Sequence, residues 1–331
     1  MKTTEFELIR EIKDNLMTTP IDMIQGIGED CAVVKKDEGH VFLISTDCLI
    51  ERVHFDLDYF SVFELGKKAM SVNLSDIAAM AGKPLYAFVT IGVPPHFQKK
   101  DIHDFYTGLE QVSQEFATAI IGGDTSRSPN LFFISLTVIG VAKNDAYKLR
   151  SFAKPGDGIY ISGPLGSSAV GLAILEKKKK LSGGTVYIQA HKNPRPRIPL
   201  AGILAKFSEV HAMIDVSDGL LQDLNHILHA SKVNARLDYN EIPREKDFDQ
   251  FCERFCLSPE NTLLSGGEDY QLLFTMEESA SASLQKDLNH KRLSIKKIGT
   301  VLPLDQKKPR IEVVKNGEVL SLQSLGYDHF A

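Results

Sequence analysis

Residues 101–125 read DIHDFYTGLEQVSQEFATAIIGGDT, and two different periods meet inside them. Ile102, Phe105, Leu109, Val112 and Phe116 recur at alternating steps of three and four, the spacing of one apolar face on an α-helix. The pattern then changes to a short apolar run, Ala119–Gly122, which reads as a strand ending in Gly-Gly-Asp. A helix feeding directly into a strand predicts a mixed fold, and the flanks repeat the alternation. Before this stretch lie expected strands at 41–46 and 85–93, with helices at 5–16 (Phe6, Ile9, Ile12 and Leu16 on one face) and 62–81. After it, Leu131–Ala142 reads as a strand.

Lys154-Pro155-Gly156-Asp157 is a turn signal, and the chain is expected to divide just before it into domains of residues 1–148 and 149–331. The second half restarts with a strand at Ile159–Ser162, a glycine-rich turn and a helix over 167–176. Strands are expected at 211–215, 235–239, 270–275, 294–301 and 310–314, and helices at 197–207, 218–231 and 277–288. Asn316-Gly317 between apolar runs predicts a hairpin. The expected fold class is therefore α/β (α+β) in two domains.

A chain of 331 residues with 43% hydrophobic and 24% charged residues is built to fold rather than to stay disordered. Its formal charge of -5 offers no basic field to a nucleic acid. The first residues lack the apolar core of a signal peptide, and no run approaches membrane-spanning length, so a cytoplasmic protein is expected. Cys31, Cys48, Cys252 and Cys256 show no C-x-x-C spacing and read as reduced thiols. The Lys177–Lys180 run reads as a solvated helix end.

The aspartates carry the chemical signal. They sit where apolar strands give way to small or turn residues: Gly28-Glu29-Asp30, Ser45-Thr46-Asp47, Ser75-Asp76, Gly122-Gly123-Asp124, Asp215-Val216-Ser217-Asp218 and Gly267-Glu268-Asp269. One such segment is ordinary cap or turn chemistry. Six in one chain point to carboxylates gathered around hard divalent cations, because their mutual repulsion needs a counter-charge. Ser45 and Thr46 could add hydroxyl ligands, and Gly122 and Gly123 would let backbone approach a phosphate closely. The G-x-x-x-x-G-K-[ST] and G-x-G-x-x-G motifs are absent. Gly163–Ser168, between a strand and a helix, reads equally as an anion site or a plain turn.

The segments Gly-Ile-Gly-Glu-Asp (26–30), Ser-Thr-Asp (45–47), Val-Asn-Leu-Ser-Asp-Ile-Ala-Ala-Met (72–80) and Ile-Gly-Gly-Asp-Thr (121–125) resemble the thiamine-monophosphate kinase family. So do Lys-Pro-Gly-Asp (154–157), Ile-Asp-Val-Ser-Asp-Gly-Leu (214–220), Leu-Ser-Gly-Gly-Glu-Asp-Tyr (264–270) and Gly-Tyr-Asp-His-Phe (326–330), in the same order along the chain. The resemblance implies the aminoimidazole-ribonucleotide-synthetase-like fold, with an N-terminal domain that binds ATP and pairs into a homodimer. It implies ATP, several Mg2+ ions and thiamine monophosphate as ligands. Asp30, Ser45, Thr46, Asp47, Asp76, Asp124, Asp215 and Asp218 would hold magnesium. Tyr106, Gly123, Asp124, Arg150 and Ser217 would contact ATP, and His54, Glu268 and Tyr327 the thiamine substrate. Without the resemblance, His54 reads as a packed histidine, Tyr327 as a core aromatic, Tyr106 as bordering the core and Arg150 as an interdomain ion pair. Two departures stand out: Glu29 where the family often has aspartate, and Cys48 where it often has threonine.

A phosphate monoester acceptor is largely dianionic at neutral pH and needs no general base. The expected catalysis is therefore direct in-line transfer, with metal-held charge offsetting repulsion and no covalent phospho-enzyme. Selenophosphate synthetase would want a reactive cysteine with a nearby lysine, which Cys31 lacks. The hydrogenase-maturation dehydratase would want a C-terminal cysteine, where this chain reads Asp-His-Phe-Ala. A non-catalytic sensor would have lost acidic positions that are filled here.

Overall fold

The computed structural model describes residues 4–16, 18, 20–177, 183–321 and 326–327. Its first half runs α1 (Glu5–Asn15), β1 (Met23–Gln25), β2 (Ala32–Lys35), β3 (His40–Ile50), α2 (Val62–Ala79), β4 (Lys83–Val93), α3 (Lys99–Glu115), β5 (Ala119–Arg127) and β6 (Phe133–Lys143). The strands form one sheet in the order β1-β2-β3-β6-β4-β5, with only β4 and β5 parallel. The second half contributes β7 (Gly158–Ile161), α4 (Ser167–Glu176), α5 (Thr185–Lys192), α6 (Ile198–Leu204), β8 (Val210–Asp215), α7 (Leu220–Ser231) and β9 (Asn234–Asp238). It continues with α8 (Phe248–Phe255), α9 (Pro259–Ser265), β10 (Leu272–Met276), α10 (Ser281–Lys291), β11 (Lys296–Leu302), β12 (Ile311–Lys315) and β13 (Glu318–Val319). These strands form a second sheet, β13-β12-β9-β11-β7-β10-β8.

Helix α2 positions the site. Ser61 and Glu64 close its first turn as a reciprocal capping box. Beyond that turn it is buried on nearly every side, because it lies between the first sheet and elements α6 and β8 of the second half. Its crossing with α3 depends on two glycines. A Cβ on Gly66 would stand 2.1 Å from the Phe105 carbonyl oxygen, and one on Gly108 would stand 2.0 Å from that of Phe63. The stripe read from α3 is the face that packs inward, with Phe105, Leu109 and Val112 buried.

Strand β5 does not stop at Gly122 but runs on through Gly-Gly-Asp to Arg127, because β4 pairs with it residue by residue as far as Val93. The Asn316-Gly317 hairpin forms as expected, both residues at positive φ between β12 and β13. Helices α5, α8 and α9 and the short strands β1 and β2 were not anticipated. Residues 178–180 of the lysine run and 328–330 of the terminal motif, with the Phe6 side chain, lie outside the described residues.

Candidate active site

Three carboxylates from distant parts of the chain converge where the two halves meet. Asp30 follows β1, Asp76 sits in the last turn of α2, and Asp215 ends β8. One oxygen from each lies within 4.8 Å of the other two. Asp47, on β3, shares the neighbourhood. Burial, followed by the charge of Asp30, raises its pKa to about 6. Asp215 is pushed to about 7 by burial and then by Asp30, and Asp76 goes well above the usual carboxylate range by burial and then by Asp47.

The protein supplies this cluster mainly with neutral donors. Ser45 donates its hydroxyl to Asp76, and Ser75 donates to Asp215 Oδ2 at 2.5 Å. Asp47 donates its backbone N–H to the Asn73 side-chain oxygen at 3.3 Å. Among the described residues the close cation is Arg150, whose Nη2 lies 2.6 Å from Asp30 Oδ1. Arg150 also donates its backbone N–H to Glu29 at 2.7 Å, so Glu29 braces the arginine. Asp30 Oδ2 is buried with no hydrogen-bond partner among the described residues. An all-oxygen donor set with one orphaned carboxylate oxygen fits a hard divalent cation such as Mg2+.

The remaining expected positions separate into groups. Asp218 and Ser217 lie in the loop entering α7, where the N–H groups of Asp218 and Gly219 donate to the buried Asp223. The backbone of Tyr327 docks on that loop, donating to the Asp218 carbonyl at 3.1 Å, and its side chain is 51% exposed, so it is no core aromatic. Tyr106 is hydrogen-bonded to Thr125 and borders a cavity of about 690 Å³ lined also by Phe63, His103, Gln111, Gln114 and Ile120.

Thr46 and Asp124 are not brought into the carboxylate cluster. Thr46 alternates with Ser45 and Asp47, so its hydroxyl turns to the other face of the sheet and donates to the Leu136 carbonyl. Asp124 belongs to the register row Cys48–Ser135–Thr90–Asp124 on that same open face, three strand spacings or about 14 Å from β3. Gly123 has φ +150°, and a Cβ there would stand 1.8 Å from the Val89 carbonyl oxygen, so the contact with β4 already demands glycine. His54 sits in the turn after β3, its Nδ1 accepting the Ile50 N–H at 3.0 Å.

Glu268 is fixed differently. Its backbone takes a left-handed φ of 64°, and its carboxylate lies 2.9 Å from Lys68 Nζ and 3.1 Å from His191 Nδ1. Burial pushes this carboxyl upward, but the Lys68 charge and the His191 contact outweigh it and hold the pKa at about 2. Sequence reasoning missed Lys68 and His191. Lys67-Lys68 gives no local sign of which lysine turns inward, and His191 lies on the unanticipated α5. The open question at Gly163–Ser168 also resolves here. Asp269 accepts the N–H groups of Gly166 (2.5 Å) and Ser168 (3.0 Å), so the anion at the start of α4 is the protein's own carboxylate.

Comparison with known proteins gives the class first. The family model for the AIR synthase related protein, N-terminal domain, matches residues 28–142, and that for the C-terminal domain matches residues 154–312. The fold is thus of AIR synthase related type. A thiamine-monophosphate kinase of Bacillus subtilis (strain 168) is 32% identical over 331 residues, covering 98% of this chain and 99% of the relative. One of Escherichia coli (strain K12) is 35% identical over 340 residues, covering 100% and 99%. The solved structure of AaThiL complexed with AMPPCP and TMP matches with a TM-score of 0.84 at 30% identity, over 99% of this chain and 97% of that one. The chain belongs to the thiamine-monophosphate kinase family. The hydrogenase maturation protein HypE, solved in complex with ATP and 19% identical, shares the fold alone.

Proposed function

We propose that this protein transfers the γ-phosphate of ATP to thiamine monophosphate, giving thiamine diphosphate, with Mg2+ held by its aspartates. The observation that carries this reading is the convergence of Asp30, Asp76 and Asp215 from both halves, with a buried Asp30 oxygen left without a partner among the described residues. Asp30, Asp47, Asp76 and Asp215 would hold the metal, with Ser45 and Asp218 at its edge. Bound there, magnesium would offset the repulsion between two phosphate anions and stabilise charge on the transferring group. The chain's own part is to keep these carboxylates in place without satisfying them. Ser45 and Ser75 orient Asp76 and Asp215, and Arg150 ties Asp30 across the junction. Tyr106, Gly123, Asp124, Arg150 and Ser217 are proposed for ATP, and His54, Glu268 and Tyr327 for the thiamine moiety. Thr46 and Asp124 stay in the proposed metal set as contributors from the open face.

The same reading divides the chain at 148/149, within the interval between the two family matches. A homodimer is part of it. The face of the first sheet turned away from α2 and α3 leaves Tyr86 (42%), Phe88 (38%) and Ile121 (52%) exposed, and a second copy would cover them. A cytoplasmic location accords with four free cysteines and with the lack, among the described residues, of any helix long and apolar enough to cross a membrane.

The test is incubation with ATP, Mg2+ and thiamine monophosphate, following thiamine diphosphate by chromatography, with free thiamine as a parallel acceptor. Product from the monophosphate alone, lost in Asp47→Asn, is the expected result. A folded, ATP-binding protein that makes no diphosphate, or a phosphorylated aspartate trapped during turnover, would overturn it.

A further inference from the structure

We infer that Lys68 and His191 are positioning residues that fix Glu268, at the junction of the two halves, as an anionic contact for the positively charged thiazolium ring of the thiamine substrate. The inference rests on the proposed assignment of Glu268 to the thiamine moiety and adds two residues to it, one from each half of the chain.

Three observations carry it. First, the ion pair is oriented. Lys68 is 0% exposed and sealed in α2, whereas the Glu268 side chain is 27% exposed. The pair is neutral as a whole, but its negative end is the end that faces outward. Second, each carboxylate oxygen has a different partner. Lys68 lies 2.9 Å from Oε1, and His191 Nδ1 lies 3.1 Å from Oε2. A carboxylate oxygen offers about two acceptor positions, so each keeps one for a ligand. Third, the backbone is held in a conformation it would not choose. Glu268 and Tyr270 both have positive φ, at 64° and 48°. Their N–H groups donate to Ser217 and Val216, while Asp269 between them accepts from the start of α4. Strain of this kind persists only where surrounding contacts over-determine it.

His191 adds direction without charge. It is 2% exposed, and burial followed by the Lys68 charge lowers its pKa, which favours the neutral ring. Its Nε2 is buried without a hydrogen-bond partner among the described residues. An orphaned lone pair there costs less than an orphaned N–H, so the proton sits on Nδ1, which faces Glu268 at 3.1 Å and the Ser168 hydroxyl at 3.0 Å. The Phe60 ring packs 5.3 Å from Lys68 Nζ and 5.7 Å from the His191 ring, holding the two side chains together.

The measurement is steady-state kinetics of Lys68→Met, His191→Phe and Glu268→Gln, with KM determined separately for thiamine monophosphate and ATP. An isosteric monophosphate carrying a neutral ring in place of the thiazolium serves as a second acceptor. The expected result is a rise of about tenfold or more in KM for thiamine monophosphate, with KM for ATP within about twofold, in all three variants. The preference for the charged acceptor over the neutral one should shrink in parallel. If Glu268→Gln raises that KM but folded Lys68→Met and His191→Phe do not, the positioning role is wrong while the contact stands. If Glu268→Gln leaves it unchanged, the assignment of Glu268 itself fails. Should Lys68→Met alone not fold, the double variant Lys68→Met/Glu268→Gln removes both charges and decides the matter. A discrimination equal to that of Glu268→Gln supports action through Glu268, and a further loss refutes it.

Discussion

The junction of the two halves holds two acidic regions that solve the same electrostatic problem in opposite ways. Around Asp30, Asp47, Asp76 and Asp215 the carboxylates are crowded against one another, helped by serine hydroxyls and a single arginine, and the pKa values of Asp47, Asp76 and Asp215 rise. At Glu268 a buried lysine and a histidine are supplied from within, and the pKa falls to about 2. Helix α2 serves both, with Lys68 two turns before Ser75 and Asp76. The first region is left short of positive charge, as a site waiting for cations must be. The second is finished at folding and presents a fixed charge to whatever enters. In these two regions the direction of the carboxylate pKa follows whether the protein itself supplies the counter-charge.

The largest expected effect is on turnover. Asp76→Asn should lower kcat by on the order of 10²–10³-fold, since a group holding transition-state charge is lost. The same change should leave the melting temperature of EDTA-treated protein unchanged or raise it, because one repelling carboxylate is gone. Glu268→Gln should move stability the other way. It strands the Lys68 ammonium, which is fully buried, at a cost on the order of 3 kcal/mol in urea unfolding. If both variants shift stability in the same direction, the contrast between the two regions is broken.

A smaller effect separates them by pH. For Asp47 and Asp215 the folded pKa lies above the ordinary value of 3.8, so the folded state binds more protons than the unfolded one between roughly pH 4 and 7. Stability of metal-free protein should therefore fall as pH rises through that window, and added Mg2+ should flatten the slope. Glu268 is depressed from 4.5, so its contribution is complete above that value and is lost as pH falls toward 2. Urea unfolding from pH 3 to 8, with and without Mg2+, measures both slopes. A metal-free slope that rises from pH 4 to 7 would refute the first.

Much of this was legible in the sequence, and the reasons are local. The α3 stripe, the β12–β13 hairpin and the acidic segments are short-range patterns whose physics acts within a few residues. What escaped was long-range. Asp30, Asp76 and Asp215 could be named one by one, but only the fold brings them within 4.8 Å. Thr46 and Asp47 are adjacent in sequence, yet strand alternation puts their side chains on opposite faces of the sheet. Gly123 was read as making room for a phosphate, whereas the Val89 carbonyl already occupies the space a side chain would need. The turn before α4 offered an anion site with no hint that Asp269, about a hundred residues further on, fills it. Lys68 was invisible because a lysine in a helix reads as solvated until the helix is known to be buried all round.

The smallest effect tests how the cluster is held. Ser75 is fully buried, and its hydroxyl reaches Asp215 at 2.5 Å across the junction of the two halves. Ser75→Ala removes one neutral donor and no charge, so it should cost about 1–2 kcal/mol of stability, less than the loss of the Glu268 ion pair. The hydroxyl favours the ionised form of Asp215, so without it the carboxyl should hold its proton to still higher pH. Because a cation competes with that proton, Mg2+ affinity should weaken more at pH 6.5 than at pH 8.5, and activity at the higher pH should be largely recovered by added Mg2+. Titration of the variant with Mg2+ at both pH values decides it. A loss of affinity equal at the two pH values would mean that Ser75 only shapes the site, and that the cluster's charge balance owes nothing to its hydroxyls.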